Sequence, residues 1–140
     1  MKKNIIALSL LAPMAVQSAW AAKKAKTDPN RPNVIIIFAD DLGYGDLGCY
    51  GAKNVKTPNV DRLAEQGIRF TDTHAVAATS TPSRYSLLTG EYAWRRPDTD
   101  IAAGNAGMII KPGQFTMADM FKSRGYSTCA IGKWHLGLGE

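Results

Sequence analysis

Asp40 and Asp41 stand side by side directly after an apolar run, Val34 to Phe38. Adjacent carboxylates leaving a buried segment repel each other and lose hydration, so something positive has to neutralise them. A hard divalent cation would do so, because carboxylate oxygen is the donor that calcium or magnesium takes. The alternative is a solvated loop in which one carboxylate caps a turn. A second group, Ser80-Thr81-Pro82-Ser83-Arg84, combines hydroxyls, a helix-starting proline and a guanidinium. A helix opening at Pro82 leaves the preceding N–H groups free and aims its positive end at whatever Ser80 holds. Arg84, in the first turn, can fork onto a tetrahedral oxyanion. The alternative is an ordinary capped helix with Ser80 and Thr81 as capping hydroxyls. Lys133 and His135 form the third group. Read singly they are a strand-end lysine and a loop histidine, but their i, i+2 spacing puts both on one side of an extended segment.

The elements that must position these groups alternate. Val34 to Phe38 is an unbroken β-branched and aromatic run, which suits a central strand covered on both faces. Thr57 as N-cap and Pro58 at the first helical position open a helix with Val60, Leu63 and Ala64 on one face, and Gly67 ends it. Ile68 to Phe70 reads as a short strand. A second helix starts at Pro82, carries Tyr85, Leu87 and Leu88, and stops at Gly90. Residues 101–112 read as a loop. Thr116 caps a third helix with Met117, Met120 and Phe121 on one face, ended by Gly125, and Tyr126 to Ile131 returns as a strand.

The pattern predicts an α/β fold with a mostly parallel central sheet flanked by helices. In such sheets ligands bind beyond the carboxyl ends of the strands. Asp40 and Asp41 fall at one such end, and Lys133 and His135 at another, so parallel strands would bring them to one rim. Tyr44, Asp46 and Asn54 read as turn residues and His74 as structural. Tyr92, Trp94, Arg95 and Arg96 line a substrate subsite or form a packed loop.

At 140 residues the chain suits one modest domain and is too short for a full multi-layer hydrolase. A composition 45% hydrophobic and 21% charged excludes disordered and collagen-like classes. Seventeen Lys and Arg against twelve acidic residues give +5; removal of an N-terminal segment holding two lysines would leave +3, which suits an anionic ligand and is too weak to imply nucleic acid. Two of those cations, Lys2 and Lys3, belong to an expected export signal over residues 1–21. Its apolar stretch runs from Ile5 to Val16, and Ala19-Trp20-Ala21 supplies the small residues at the cut. Pro13, Gln17 and Ser18 interrupt the apolar run, so no membrane span is expected. Residues 22–30 read as a disordered leader. Export implies a periplasmic or secreted protein, where disulfides are permitted. Cys49 and Cys129 lie far apart, show no metal-ligand spacing and are read as buried small residues, with a bridge between them as the unsupported alternative.

Ser80-x-Pro82-Ser83-Arg84, followed by Leu88-Thr89-Gly90, resembles the signature of the type I sulfatases in its serine form. Pro32 to Gly43 resembles that family's opening strand and metal site, Thr57 to Ala64 its first helix, and Gly132 to Gly137 its second signature. The four matches occur in order and cover nearly all residues after Arg31. The resemblance implies the alkaline-phosphatase-like α/β sandwich, with residues 31–140 as the N-terminal part of the catalytic domain.

It implies that a radical SAM maturating enzyme oxidises Ser80 to formylglycine (3-oxoalanine), and that Asp40, Asp41 and residue 80 ligate Ca²⁺. Arg84 and Lys133 would then bind the aldehyde hydrate and the sulfate, and His135 would assist proton transfer. The implied reaction is hydrolysis of a sulfate ester on a glycan or an aryl group. The family's remaining calcium and site residues come later than Glu140, so the isolated chain is expected to be inactive. A phosphate or phosphonate monoester hydrolase of the same superfamily, or a non-catalytic anion-binding fragment, are the competing readings.

Overall fold

The computed structural model describes residues 30–139. The expected export signal and nearly all of the expected leader lie outside the described residues. The chain divides into two units, Met1–Ile37 and Phe38–Glu140. In the first, the described residues 30–37 are extended or turn-like, with Ile35 and Ile37 largely exposed. The second holds three α-helices: α1 (Pro58–Gln66), α2 (Ser80–Thr89) and α3 (Met117–Ser123). Short 3₁₀ turns stand at Tyr44–Asp46, Gly48–Tyr50 and Ala93–Arg95. Among the described residues, no helix is long and apolar enough to cross a membrane.

No strand ladder forms among the described residues, so the expected strands at 34–38, 68–70 and 126–131 are absent as paired strands. The reason is physical. β-branched side chains favour an extended backbone, but a strand exists only through hydrogen bonds to a neighbour, and the described residues supply none. Ile131, expected inside the returning strand, is 95% exposed. The cysteines depart from expectation for the same want of a covering layer: Cys129 is exposed and Cys49 half-buried, both as free thiols.

The helices follow their local signals more closely. α1 begins at Pro58 after Thr57 and ends before Gly67, as its sequence predicts. Thr57 does not cap with its side chain; its hydroxyl accepts from Gly48 N at 2.8 Å and donates to Asp61 Oδ1 at 2.9 Å. Asp61 also accepts from Cys49 N at 2.7 Å, fastening the second 3₁₀ turn to α1. Gly48 permits this approach, since a Cβ there would lie 2.4 Å from Asp61 Oδ2. In α3, Thr116 and Asp119 form a reciprocal capping box. The Thr116 hydroxyl and backbone N–H together hold the Asp119 carboxyl below its ordinary range.

α2 starts at Ser80, two residues before the expected Pro82, with Thr79 as N-cap and Gly90 (φ +72) closing it in the left-handed conformation. Proline is tolerated throughout a first turn because those N–H groups lack intrahelical partners, so Pro82 marks the turn but not its first residue. The core sits against this helix. Tyr85 and Leu136 are fully buried, Ala93 and Ile110 nearly so, with Leu88 and Ile109 packed around them. The Tyr85 hydroxyl donates to Glu91 Oε2 and accepts from Gln114 Nε2, both at 2.8 Å, so its polar end is satisfied. Residues 101–112 carry no helix or strand, as expected, yet they are laced to the chain end. Met108 N donates to Gly139 O and Ile109 N to Leu136 O, at 2.9 and 3.0 Å.

Candidate active site

Two side-chain groups hang on the first turn of α2. In the first, Arg84 is the junction. Its Nε donates to Ser80 Oγ at 2.9 Å, one turn back on the same helix face. Its Nη1 donates to the Lys133 carbonyl at 2.8 Å and its Nη2 to Asp40 Oδ1 at 2.9 Å. The guanidinium carbon lies 5.4 Å from the centre of the Phe38 ring, a cation–π contact that fixes the fork from its other face. Lys133 Nζ completes the group by pairing with Asp40 Oδ2 at 2.8 Å. Four of the expected site residues, Ser80, Arg84, Asp40 and Lys133, are thereby brought into one connected network.

Each oxygen of Asp40 thus faces a cation. The Lys133 ammonium, and after it the Arg84 guanidinium, holds the Asp40 carboxyl below its ordinary value of 3.8 against the opposing effect of desolvation. Asp41 differs from its neighbour. It is exposed, and its backbone is left-handed at φ +54, a conformation aspartate visits more readily than most residues. Two carboxylates and a hydroxyl are oxygen donors of the kind calcium takes, so the residues fit that ion in chemistry. They do not fill its shell of about six to eight oxygens, and no cluster of three or more His, Cys, Asp or Glu exists among the described residues.

His135 does not follow Lys133 onto one side of an extended segment. The left-handed backbone of His135 itself (φ +53) breaks the alternation the i, i+2 argument needs. The two residues separate: Lys133 reaches Asp40, whereas His135 Nε2 lies 3.0 Å from the Ala102 carbonyl. His135 belongs to the second group on α2. Thr81 is fully buried, its hydroxyl donating to the His135 carbonyl at 2.9 Å and accepting from Ala102 N at 3.0 Å.

Thr81 is the residue that sequence reasoning passed over, as one of two capping hydroxyls; neither it nor Ser80 caps. The signal was its spacing: Thr81, Tyr85 and Leu88 fall at i, i+4 and i+7, so Thr81 lies on the buried face, where a hydroxyl must find partners. Tyr92 and Trp94 stack with ring centres 5.8 Å apart, and Arg95 lies over Trp94. They follow the C-terminus of α2, and the turn that carries them packs back on the helix through Ala93 N–H to Ser86 Oγ at 3.2 Å. Ala93 between them is buried, while Tyr92 and Trp94 are themselves exposed. His74 is exposed, near Asp72 at 3.8 Å, and Asp46 accepts from Gly43 N within the first 3₁₀ turn.

A serine hydroxyl, an arginine fork and a lysine–aspartate pair therefore meet at the N-terminus of α2. The sulfatase family profile matches residues 32–140, and the chain belongs to the sulfatase family. It is 52% identical to the N-acetylgalactosamine-6-O-sulfatase of Bacteroides thetaiotaomicron over 98% of this chain and 28% of that relative. It is 45% identical to human arylsulfatase A over 91% of this chain and 25% of that relative. A solved structure from work on the metabolism of multiple glycosaminoglycans by B. thetaiotaomicron superposes with a TM-score of 0.77 at 61% identity, covering 79% of this chain and 23% of that one. The chain therefore spans about a quarter of the length of these relatives. The likeness carries the alkaline-phosphatase-like fold expected for the family, while the sheet itself is not formed among the described residues.

Proposed function

We propose that the whole protein hydrolyses a sulfate ester, with Ser80 oxidised to formylglycine as its nucleophile and a sulfated glycan as its substrate. The observation that carries this reading is the Arg84 junction, which links the Ser80 hydroxyl to Asp40 and Lys133 in one network. The 52% identity to an N-acetylgalactosamine-6-O-sulfatase supports a carbohydrate substrate. Oxidation of the Ser80 CH₂OH to CHO removes two protons and two electrons, which pass to a radical SAM maturating enzyme.

Water adds to the aldehyde to give a geminal diol. One hydroxyl attacks sulfur and displaces the sugar alcohol. The other then loses its proton, re-forms C=O and expels sulfate, an exit that a plain serine ester lacks. His135 takes that proton. Arg84 and Lys133 hold the sulfuryl oxygens and offset the charge that builds on them. Asp40 and Asp41, with residue 80, would hold calcium, which when bound supplies further positive charge beside the sulfate. Residues 1–21 would direct export to the periplasm or beyond, and residues 31–140 would form the N-terminal part of the catalytic domain.

The test is sulfate release by the whole, matured protein from N-acetylgalactosamine 6-sulfate, beside a phosphate monoester of the same sugar. Preferential sulfate release is expected. Preferential release of phosphate would overturn the reading.

A further inference from the structure

We propose that Thr81 is a positioning residue, which sets the place and tautomer of His135 through a closed ring of hydrogen bonds. The proposal rests on the reading of His135 as the proton-transfer group. Three segments meet in the ring: the first turn of α2, the 101–112 loop and the turn following Gly132. The Thr81 hydroxyl donates to the His135 carbonyl at 2.9 Å and accepts from Ala102 N at 3.0 Å. The Ala102 carbonyl returns to His135 Nε2 at 3.0 Å. One threonine thereby holds both the left-handed backbone of His135 and, through residue 102, its imidazole.

The ring also decides which nitrogen carries hydrogen. A carbonyl only accepts, so Nε2 must donate to Ala102. Nδ1 is left buried with no hydrogen-bond partner among the described residues. A buried polar atom without a partner is costly, and a ring that fixes Nε2 keeps this lone pair in reserve for the reacting proton. Thr81 follows Ser80 directly in the chain, so the same turn of α2 presents the nucleophile and fixes its proton acceptor.

The experiment uses the whole protein, with rates divided by the formylglycine content at residue 80, so that impaired maturation is not read as impaired catalysis. Thr81→Val keeps the shape and removes both hydrogen bonds; kcat is expected to fall about 10- to 100-fold with KM within about threefold, the signature of misplaced chemistry rather than lost binding. Thr81→Ser, which keeps the hydroxyl, is expected to return kcat to within about threefold of the parent. Thr99→Val is the control, because Thr99 is as deeply placed and its hydroxyl bonds Ala93 O and Arg96 O without touching His135.

If Thr81→Val does not fold, Thr81→Ala and Thr81→Ser compared below both melting transitions give the same contrast. Equal kcat in Thr81→Val and Thr99→Val, with His135→Ala still impaired, would overturn the proposal and leave the function standing. Unchanged kcat in His135→Ala would remove the role of His135 and this proposal with it.

Discussion

α1 and α2 open and close on the same kinds of signal, a hydroxyl residue and a proline at one end and a glycine at the other, yet they end in different environments. α2 packs on α3 and on the Ala93–Arg95 turn and buries Thr81, Ser83, Tyr85 and Ser86. α1 meets only the Gly48–Tyr50 turn among the described elements and buries none of its residues; Val60 and Leu63 remain exposed. Local signals therefore suffice to make a helix, and packing decides what the helix can hold still. The chemistry-bearing side chains sit on the helix that is anchored. Its anchoring is largely polar: Ser83 Oγ donates to Ala77 O at 2.7 Å and Ser86 Oγ accepts from Ala93 N at 3.2 Å. α1 is held instead by one carboxylate, Asp61, reaching across to the neighbouring turn.

The largest effect expected from breaking this contrast is at the α2 N-terminus. Ser80→Ala in the whole protein should reduce sulfate release by more than about 10⁴-fold, the scale for removing a nucleophile, while calcium binding and melting temperature stay near the parent's. A large loss of folding would instead make Ser80 a structural residue. Next comes the pair Tyr85→Ala and Leu63→Ala, read by chemical denaturation. The buried tyrosine should cost about 3–5 kcal/mol and the exposed leucine about 0.5 kcal/mol or less. A comparable loss at Leu63 would show that α1 buries its face against residues outside those described.

Asp61→Ala should cost about 1–2 kcal/mol by freeing Cys49 N–H and the Thr57 hydroxyl. Gly48→Ala should act in the same direction by displacing the Asp61 carboxylate. The smallest effect is the pH dependence carried by Asp40. Its folded-state pKa is lowered, so pairing with Lys133 and Arg84 contributes stability that is fully present above about pH 3.8 and lost as pH falls through the lower folded value. The melting-temperature gap between the parent and Asp40→Asn should therefore narrow only in that acid range. A gap that narrows near neutrality would contradict the pairing.

Caps and stops were legible in the sequence because they are local. Thr57-Pro58 with Gly67, and Thr116 with Gly125, bound their helices within a few residues, although the Thr57 hydroxyl bonds Gly48 N and Asp61 instead of capping. The register of α2 was less so, since proline is admitted at several first-turn positions. The strands were not legible in the same sense: the Val34 to Phe38 run specifies an extended backbone, but pairing depends on partners remote in the chain. The site divides along the same line. Ser80 and Arg84 are four apart on a helix, and their contact follows from that spacing. Asp40 and Lys133 meet across most of the second unit, and the sheet-end argument reached their proximity without the sheet. The expectation that Lys133 and His135 share one side failed because His135 is left-handed (φ +53), at a residue that gives no sign of it in sequence.

The central claim is that residue 80 works as an aldehyde and not as a hydroxyl. The peptide containing residue 80, taken from the whole protein at full activity and weighed by mass spectrometry, should be lighter than the encoded peptide by two hydrogen atoms, or regain only water on hydration. An unmodified serine at full activity would contradict the account.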